Sequence, residues 1–161
     1  MLSMPLFANI SITNMAKVSR MGFIDNHKEH FWSQKYIKTL LVKTPSIFQQ
    51  AKNLSGGNQQ KVVIAKWLFR ETDIFIFDEP TRGIDVGAKY EIYSLLWELA
   101  AQGKGIIIVS SDLSELMGVC QRMLVFSNGK VAGELQRDEF NQERILTLSY
   151  SEYLKKKERI S

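Results

Sequence analysis

The sequence predicts an α/β fold, and three observations carry that prediction. Residues 74–77 (Ile-Phe-Ile-Phe) and 106–109 (Ile-Ile-Ile-Val) are continuous apolar runs bounded by polar residues. Such runs read as strands of a parallel sheet buried on both faces. Between them Ile92, Leu95, Leu96 and Leu99 fall on one face at helical spacing, which makes the order strand, helix, strand. With 161 residues and 45% hydrophobic content, the chain is long and apolar enough to bury the core of one domain.

The elements follow in order. Residues 9–41 show no strand-like alternation and carry aromatics at Phe23, Phe31, Trp32 and Tyr36, so they are expected to be helical, with most of these aromatics in the core. Thr44-Pro45-Ser46 interrupts the pattern, because the residue before a proline is pushed out of the helical region. A short helix is expected to follow through Gln50. Ser55-Gly56-Gly57 is a turn suited to a helix start, and residues 58–70 are rich in helix formers, with Val62, Ala65, Trp67 and Leu68 expected to be largely buried. After the first strand, residues 86–102 form a helix closed by Gly103. After the second strand, Asp112-Leu113-Ser114-Glu115 has the polar-x-x-Glu spacing of a helix start, leading into residues 116–120. Residues 123–126 and 130–135 read as two strands joined by a tight turn at Asn128-Gly129, and residues 141–148 as a last short helix.

Composition excludes several classes. The net charge is +4, and basic residues are scattered except for Lys155-Lys156-Lys157-Glu158-Arg159, which reads as a solvated tail rather than a nucleic-acid contact. No apolar run approaches the ~20 residues needed to cross a bilayer. The first twelve residues carry neither the basic leader nor the small-residue cleavage site of a signal peptide. The single cysteine, Cys120, rules out an internal disulfide and fits a reducing compartment. His27, Glu29 and His30 lie close together on an expected helix, but a metal site would need further ligands, so a surface helix is the expectation there.

Two motifs carry chemistry. Leu54-Ser55-Gly56-Gly57-Asn58-Gln59-Gln60-Lys61 offers a hydroxyl and unobstructed backbone N–H groups at the positive end of a helix, where a phosphate group is favoured. A Ser-Gly-Gly turn by itself often does no more than begin a helix, and Gln59, Gln60 and Lys61 also read as its solvated first turn. Asp78 and Glu79 stand at the carboxyl end of a buried strand, where open α/β sheets place ligand-binding groups. Adjacent carboxylates can divide the work: Asp78 can hold a magnesium ion through its water shell, and Glu79 can orient or deprotonate an attacking water. An isolated Asp-Glu would read only as a strand leaving the core. Its company here, Ser-Gly-Gly upstream and Pro80-Thr81 downstream, favours function.

On these residues the chain resembles the nucleotide-binding domain of an ATP-binding cassette (ABC) transporter. Residues 54–61 resemble the family's signature motif, 74–79 its Walker B strand and 81–85, ending at Asp85, its D-loop. The string from Asp78 to Lys89, with Arg82-Gly83 and with Asn58 in the signature, is similar to the second, C-terminal cassette of bacterial monosaccharide importers. The resemblance covers residues 9–148. It implies a partial P-loop NTPase fold of ABC type: a helical and signature subdomain over 9–70, a Walker B core over 71–149 and a basic tail over 150–161. It also implies ATP and Mg2+ as cofactors, and a peripheral place at the inner face of the cell membrane. The implied partners are a second cassette in a head-to-tail dimer, membrane permease subunits and, indirectly, a periplasmic sugar-binding protein, with no nucleic acid.

Two departures bear on mechanism. The 161 residues contain no G-x-x-x-x-G-K-[ST] loop to cradle phosphates, so the expectation is a chain truncated before its Walker A loop. Ser111 occupies the place of the family's switch histidine, a substitution the resemblance associates with second cassettes. Ser111 and Asp112 also suit helix capping. In the family's paired arrangement Ser55, Gly56, Gly57 and Gln59 face ATP held by the partner, whereas Asp78, Glu79 and Ser111 face the nucleotide of their own cassette. The expected product is an ATPase component inactive alone. Two other readings stand beside it: a non-catalytic interaction module or truncated remnant, and a DNA-repair or chromosome-structure ATPase, whose long heptad repeats are absent from the sequence.

Overall fold

Two units, residues 1–109 and 110–161, make up the chain. The computed structural model describes the backbone of residues 1–158 and the side chains of residues 1–153.

In the first unit, helices α1 (Leu6–Ser11), α2 (Asn26–Thr39) and α3 (Gly56–Phe69) pack on one another. Leu6, Ile10, Val18, Ile64 and Phe69 are fully buried there. Helix α2 starts at Asp25, whose carboxylate accepts the Lys28 N–H at 3.2 Å and so satisfies one of the helix's first donors. Trp32 and Tyr36, one helical turn apart on α2, both meet Phe69 of α3 edge-on, and the Lys17 ammonium sits 4.0 Å above the Trp32 ring.

This region departs from the expectation of continuous helix. A hairpin of β1 (Ser19–Arg20) and β2 (Phe23–Ile24) separates α1 from α2, turning at Met21 and Gly22, both with positive φ. Gly22 makes that turn accessible, since it enters the left-handed region without steric cost. Phe23, at 80% exposure, and Phe31 lie outside the core, while Trp32 and Tyr36 are half-buried. No helix forms over residues 46–50. Ser46 and Thr44 form local side-chain turns there instead, and a short 3-10 turn follows at Ala51–Asn53.

Helix α3 begins at Ser55, as expected, but is buried along one stripe only. Gly57, Lys61, Val62, Ile64, Ala65 and Phe69 face inward, whereas Trp67 is exposed. Strands β3 (Ile74–Asp78) and β4 (Gly105–Val109) pair in parallel, Ile74 opposite Gly105 and Asp78 opposite Val109. They are joined through α4 (Val86–Ala101), whose inward residues are Ile92, Tyr93, Leu96 and Leu99. Gly103 closes α4 with a φ of 86°.

The expectation of strands buried on both faces is corrected. Phe75 and Phe77 are buried and stacked, but Ile74 and Ile76 are 65% and 70% exposed, and Ile107 and Val109 about half. Side chains alternate across a strand, and in the described residues only one face of this pair is covered.

In the second unit, α5 (Leu113–Val119) starts at Asp112, whose carboxylate accepts the Glu115 N–H at 3.3 Å. Strands β5 (Arg122–Ser127) and β6 (Lys130–Gln136) pair antiparallel around Asn128-Gly129, with φ values of 47° and 76°, and a bulge falls between Val125 and Phe126. Met123, Val125, Leu135 and Ile145 form the core, with Leu113, Leu116, Met117, Phe140 and Leu148 packed against it. The last helix, α6 (Gln142–Glu158), runs ten residues beyond the expected end at 148. Leu148 and Ile145 hold it to the hairpin, and a hypothetical Cβ on Gly133 would lie 2.8 Å from Leu148. The side chains of the basic run from Lys155 to Arg159 lie outside the described residues. No described helix is long and apolar enough to cross a membrane.

Candidate functional site

The first turn of α3 is held open by its own side chains. Ser55 is the N-cap by backbone geometry, yet its hydroxyl makes no capping bond; its oxygen accepts from the Asn58 Nδ2 at 2.9 Å. The Asn58 Oδ1 in turn accepts the Lys43 N–H at 2.7 Å. Gln59 donates its Nε2 to the Leu54 carbonyl at 2.9 Å, and its backbone N–H to the Ser55 carbonyl. The N–H groups of Gly56, Gly57 and Asn58 precede the first intrahelical bond and point out of the helix end, beside an exposed Ser55. A hydroxyl and three amides at the positive pole of a 14-residue helix suit a phosphate.

The two glycines do different work. At Gly56 a Cβ would meet nothing closer than the Gly83 carbonyl oxygen at 3.8 Å. At Gly57 it would lie 2.6 Å from the Ala88 Cβ and 3.6 Å from Ile84. Gly57 is therefore required for packing of α3 on the 84–88 segment, whereas Gly56 leaves its side of the turn open. A cleft of about 290 Å³ runs alongside, lined among others by Gly56, Gln59, Lys66, Arg82 and Gly83. Of its two cationic side chains, Lys66 belongs to the last turn of α3, and Arg82 directly precedes Gly83, whose carbonyl lies by Gly56.

The carboxylates stand where β3 ends. Asp78 is the last strand residue and exposed; Glu79 turns the chain with a φ of 48° while its N–H donates to the Val109 carbonyl at 2.8 Å. Pro80 and Thr81 are buried. Thr81 Oγ1 and the Tyr93 hydroxyl are hydrogen-bonded at 2.9 Å, tying the turn to α4. The Arg82 N–H donates to the Glu79 carbonyl and the Ile84 N–H to the Thr81 carbonyl, both at 3.2 Å, and Gly83 takes a φ of 73°. Asp85 ends the turn as N-cap of α4, its carboxylate accepting the Ala88 N–H at 3.0 Å. An exposed carboxylate followed at once by a second fits a hard divalent cation and its water shell.

The structure thus brings the Ser55–Gly57 turn against the segment that ends in Asp85, within one unit. Ser111 belongs to the other unit, where it is exposed two residues past β4 and directly before the N-cap Asp112.

Sequence reasoning missed two groups. Lys61, read there as part of a solvated turn, is 4% exposed, its ammonium donating to Glu91 at 2.8 Å. Its spacing was the available signal: Gly57, Lys61, Ile64 and Ala65 lie at i, i+4, i+7 and i+8 on one stripe. The Thr81–Tyr93 bond carried no signal, because twelve residues and a turn separate the partners. His30 stacks edge-on between Phe7 and Phe48, so its ring is engaged in packing.

The ABC transporter family model matches residues 7–82. The chain belongs to the ABC transporter ATP-binding family, with sugar-importer ATP-binding proteins as relatives at about 50% identity. It is 49% identical over 140 residues to the L-arabinose transport ATP-binding protein AraG of Geobacillus stearothermophilus, covering 87% of this chain and 27% of that protein. It is 50% identical over 149 residues to the ribose import ATP-binding protein RbsA of Clostridium perfringens, covering 92% of this chain and 30% of that one. The chain therefore spans less than a third of the length of these relatives. Among solved structures, a nucleotide-free ATP-binding cassette from an ABC transporter superposes with a TM-score of 0.75 at 19% identity, over 91% of this chain and 62% of that one. A dimeric cassette in a post-hydrolysis state bound to ADP and phosphate superposes at 0.70 and 21%, over 87% and 60%. The fold is that of an ABC ATPase cassette.

Proposed function

We propose that this chain is the ATP-binding component of a carbohydrate ABC importer, corresponding to the later part of a second cassette. Its signature turn completes a nucleotide site held by a partner cassette. The observation that carries this reading is the turn at 55–57: an exposed hydroxyl and outward N–H groups, backed by Gly57 packed on Ala88 beside the segment ending in Asp85. The names of AraG and RbsA support sugar import as the transport class.

In this reading Ser55, Gly56 and Gly57 donate to the terminal phosphates of ATP in trans. Gln59 keeps the turn in shape through Leu54 and borders the cleft beside it. Asp78 would hold Mg2+ through its water shell, where the bound ion neutralises charge on the phosphate oxygens. Glu79 orients a water for in-line attack and takes its proton. Asp85 caps α4 and holds the D-loop at the facing cassette. Ser111 occupies the switch position, where a hydroxyl lacks the proton-transfer range of an imidazole. Permease subunits at the inner face of the membrane, and through them a periplasmic sugar-binding protein, complete the proposed assembly.

The test is to mix the purified chain with a complete first cassette and follow Mg-ATP hydrolysis. The chain alone is expected to show no turnover, and the mixture to exceed the first cassette by itself. No stimulation at high concentration overturns donation in trans and favours a non-catalytic module.

A further inference from the structure

Lys61 is the one lysine whose ammonium the described residues bury. Its side chain is 5% exposed, and Nζ donates to Glu91 Oε2 at 2.8 Å and to the Leu41 carbonyl at 3.3 Å. An ammonium leaves water only at a large cost, so a buried one is informative about what surrounds it. Three elements meet at this atom. Lys61 lies one helical turn beyond Gly57 on α3. Glu91 lies three residues beyond Ala88 on α4, the residue against which Gly57 packs. Leu41, the residue after the α2 C-cap Leu40, is left-handed with a φ of 51°, and its carbonyl accepts from the ammonium.

The same chain segment reaches the signature turn by a second route. Lys43, two residues after Leu41, gives its N–H to Asn58 at 2.7 Å, and Asn58 gives its amide to Ser55 at 2.9 Å. The Lys43 ammonium also lies 4.0 Å from the other oxygen of Glu91. A closed path of bonds therefore runs from Glu91 through Lys61 and the 41–43 segment to the Ser55 hydroxyl.

We propose that Lys61 and Glu91 form a positioning pair that fixes the signature turn at 55–57 relative to the first turn of α4, and thereby sets where Ser55 presents its hydroxyl. This deepens the proposed function and rests on it. The pair touches no ligand; it acts through Leu41, Lys43 and Asn58 on one side and through α4 on the other.

The design of the test follows from the burial. Glu91 is about half exposed, so removing the lysine leaves a carboxylate that water can reach, and a methionine fills the lysine's apolar volume. Lys61→Met should therefore keep its melting temperature, while stimulated hydrolysis in the mixture with a complete first cassette loses about tenfold to a hundredfold in kcat. KM for ATP should move less than about threefold. Lys61→Arg, which restores the charge, should recover most of that kcat, whereas Glu91→Gln should lose kcat as Lys61→Met does and also melt lower, because it leaves the buried ammonium with an uncharged partner. A folded Lys61→Met with wild-type kcat overturns the proposal, as does an equal loss in Lys61→Arg.

Hydrogen exchange on the chain alone separates this proposal from the reading beneath it. Lys61→Met should speed exchange of the Gln59 and Ala88 amides about tenfold relative to α2 amides, with Lys61→Arg restoring protection. If the wild-type chain gives no stimulation, donation in trans fails, and the exchange result still decides the positioning role. Unchanged protection, or a uniform loss across the unit, overturns it.

Discussion

Gly56 and Gly57 are adjacent and identical in type, yet the structure asks different things of them. A methyl group at 57 would overlap the Ala88 side chain, whereas at 56 it would make only ordinary contact with Gly83 and Ile84. Gly57→Ala should destabilise the chain by about 1–3 kcal/mol through overpacking. Gly56→Ala should leave denaturant unfolding nearly unchanged but lower stimulation of a first cassette, because the added methyl crowds the exposed turn between Ser55 and Gly83. Equal midpoints for both variants would show that the α3–α4 contact yields to the extra methyl. The sequence made the Ser-Gly-Gly turn legible as a helix start, and did so through local chemistry alone. It could not assign the glycines their separate duties, since Ala88 is 31 residues from Gly57. Lys61 was misread for the same reason: its partner Glu91 is 30 residues away.

Helices α3 and α4 are joined by a charge as well as by packing. The hydrogen bond and attraction from Lys61 hold the Glu91 carboxyl below its ordinary range. A carboxylate whose folded pKa is depressed contributes stability that is complete above its unfolded value, about 4.3, and lost as pH falls through the folded one. The Lys17 partner of Glu71 and the Lys104 partner of Asp73 act in the same direction on exposed groups. Stability should therefore fall steadily below pH about 4.3, and Glu91→Gln should flatten part of that fall. Urea titrations of both proteins between neutral and acid pH measure it, and parallel curves would sink the attribution to Glu91. Element identity was legible wherever local signals agreed: the helix starts at Ser55 and Asp112, the stop at Gly103 and the turn at Asn128-Gly129 all appear. The first forty residues misled because a two-residue hairpin leaves no periodic trace. The last helix runs on beyond Leu148, where the Glu152 N–H donates to the Ser127 hydroxyl of the hairpin at 3.1 Å, a contact that no local pattern encodes.

At the scale of the whole molecule, the outer face of β3 and β4 stands out. Ile74, Ile76, Ile107 and Val109 present apolar side chains to solvent, with Ile76 directly opposite Ile107. A contiguous patch of this kind favours self-association. Ile76→Thr keeps a β-branched side chain and should change stability by no more than about 0.5 kcal/mol. It should lower dye binding to exposed apolar surface and reduce light scattering at a given concentration; unchanged scattering would place the association elsewhere. The apolar runs at 74–77 and 106–109 foretold parallel strands, and their double-sided hydrophobicity foretold cover on both faces. Only one face is covered in the described residues. The sequence by itself determined the α/β class, the helix start at Asp112 and the turns, because each is set by neighbours within a few positions. Only the tertiary structure decided that Gly57 seats on Ala88, that Thr81 bonds Tyr93 and that Lys61 is buried against Glu91. Those contacts join residues 12 to 31 positions apart, and which distant side chains share a buried space is fixed by packing, which no local pattern encodes.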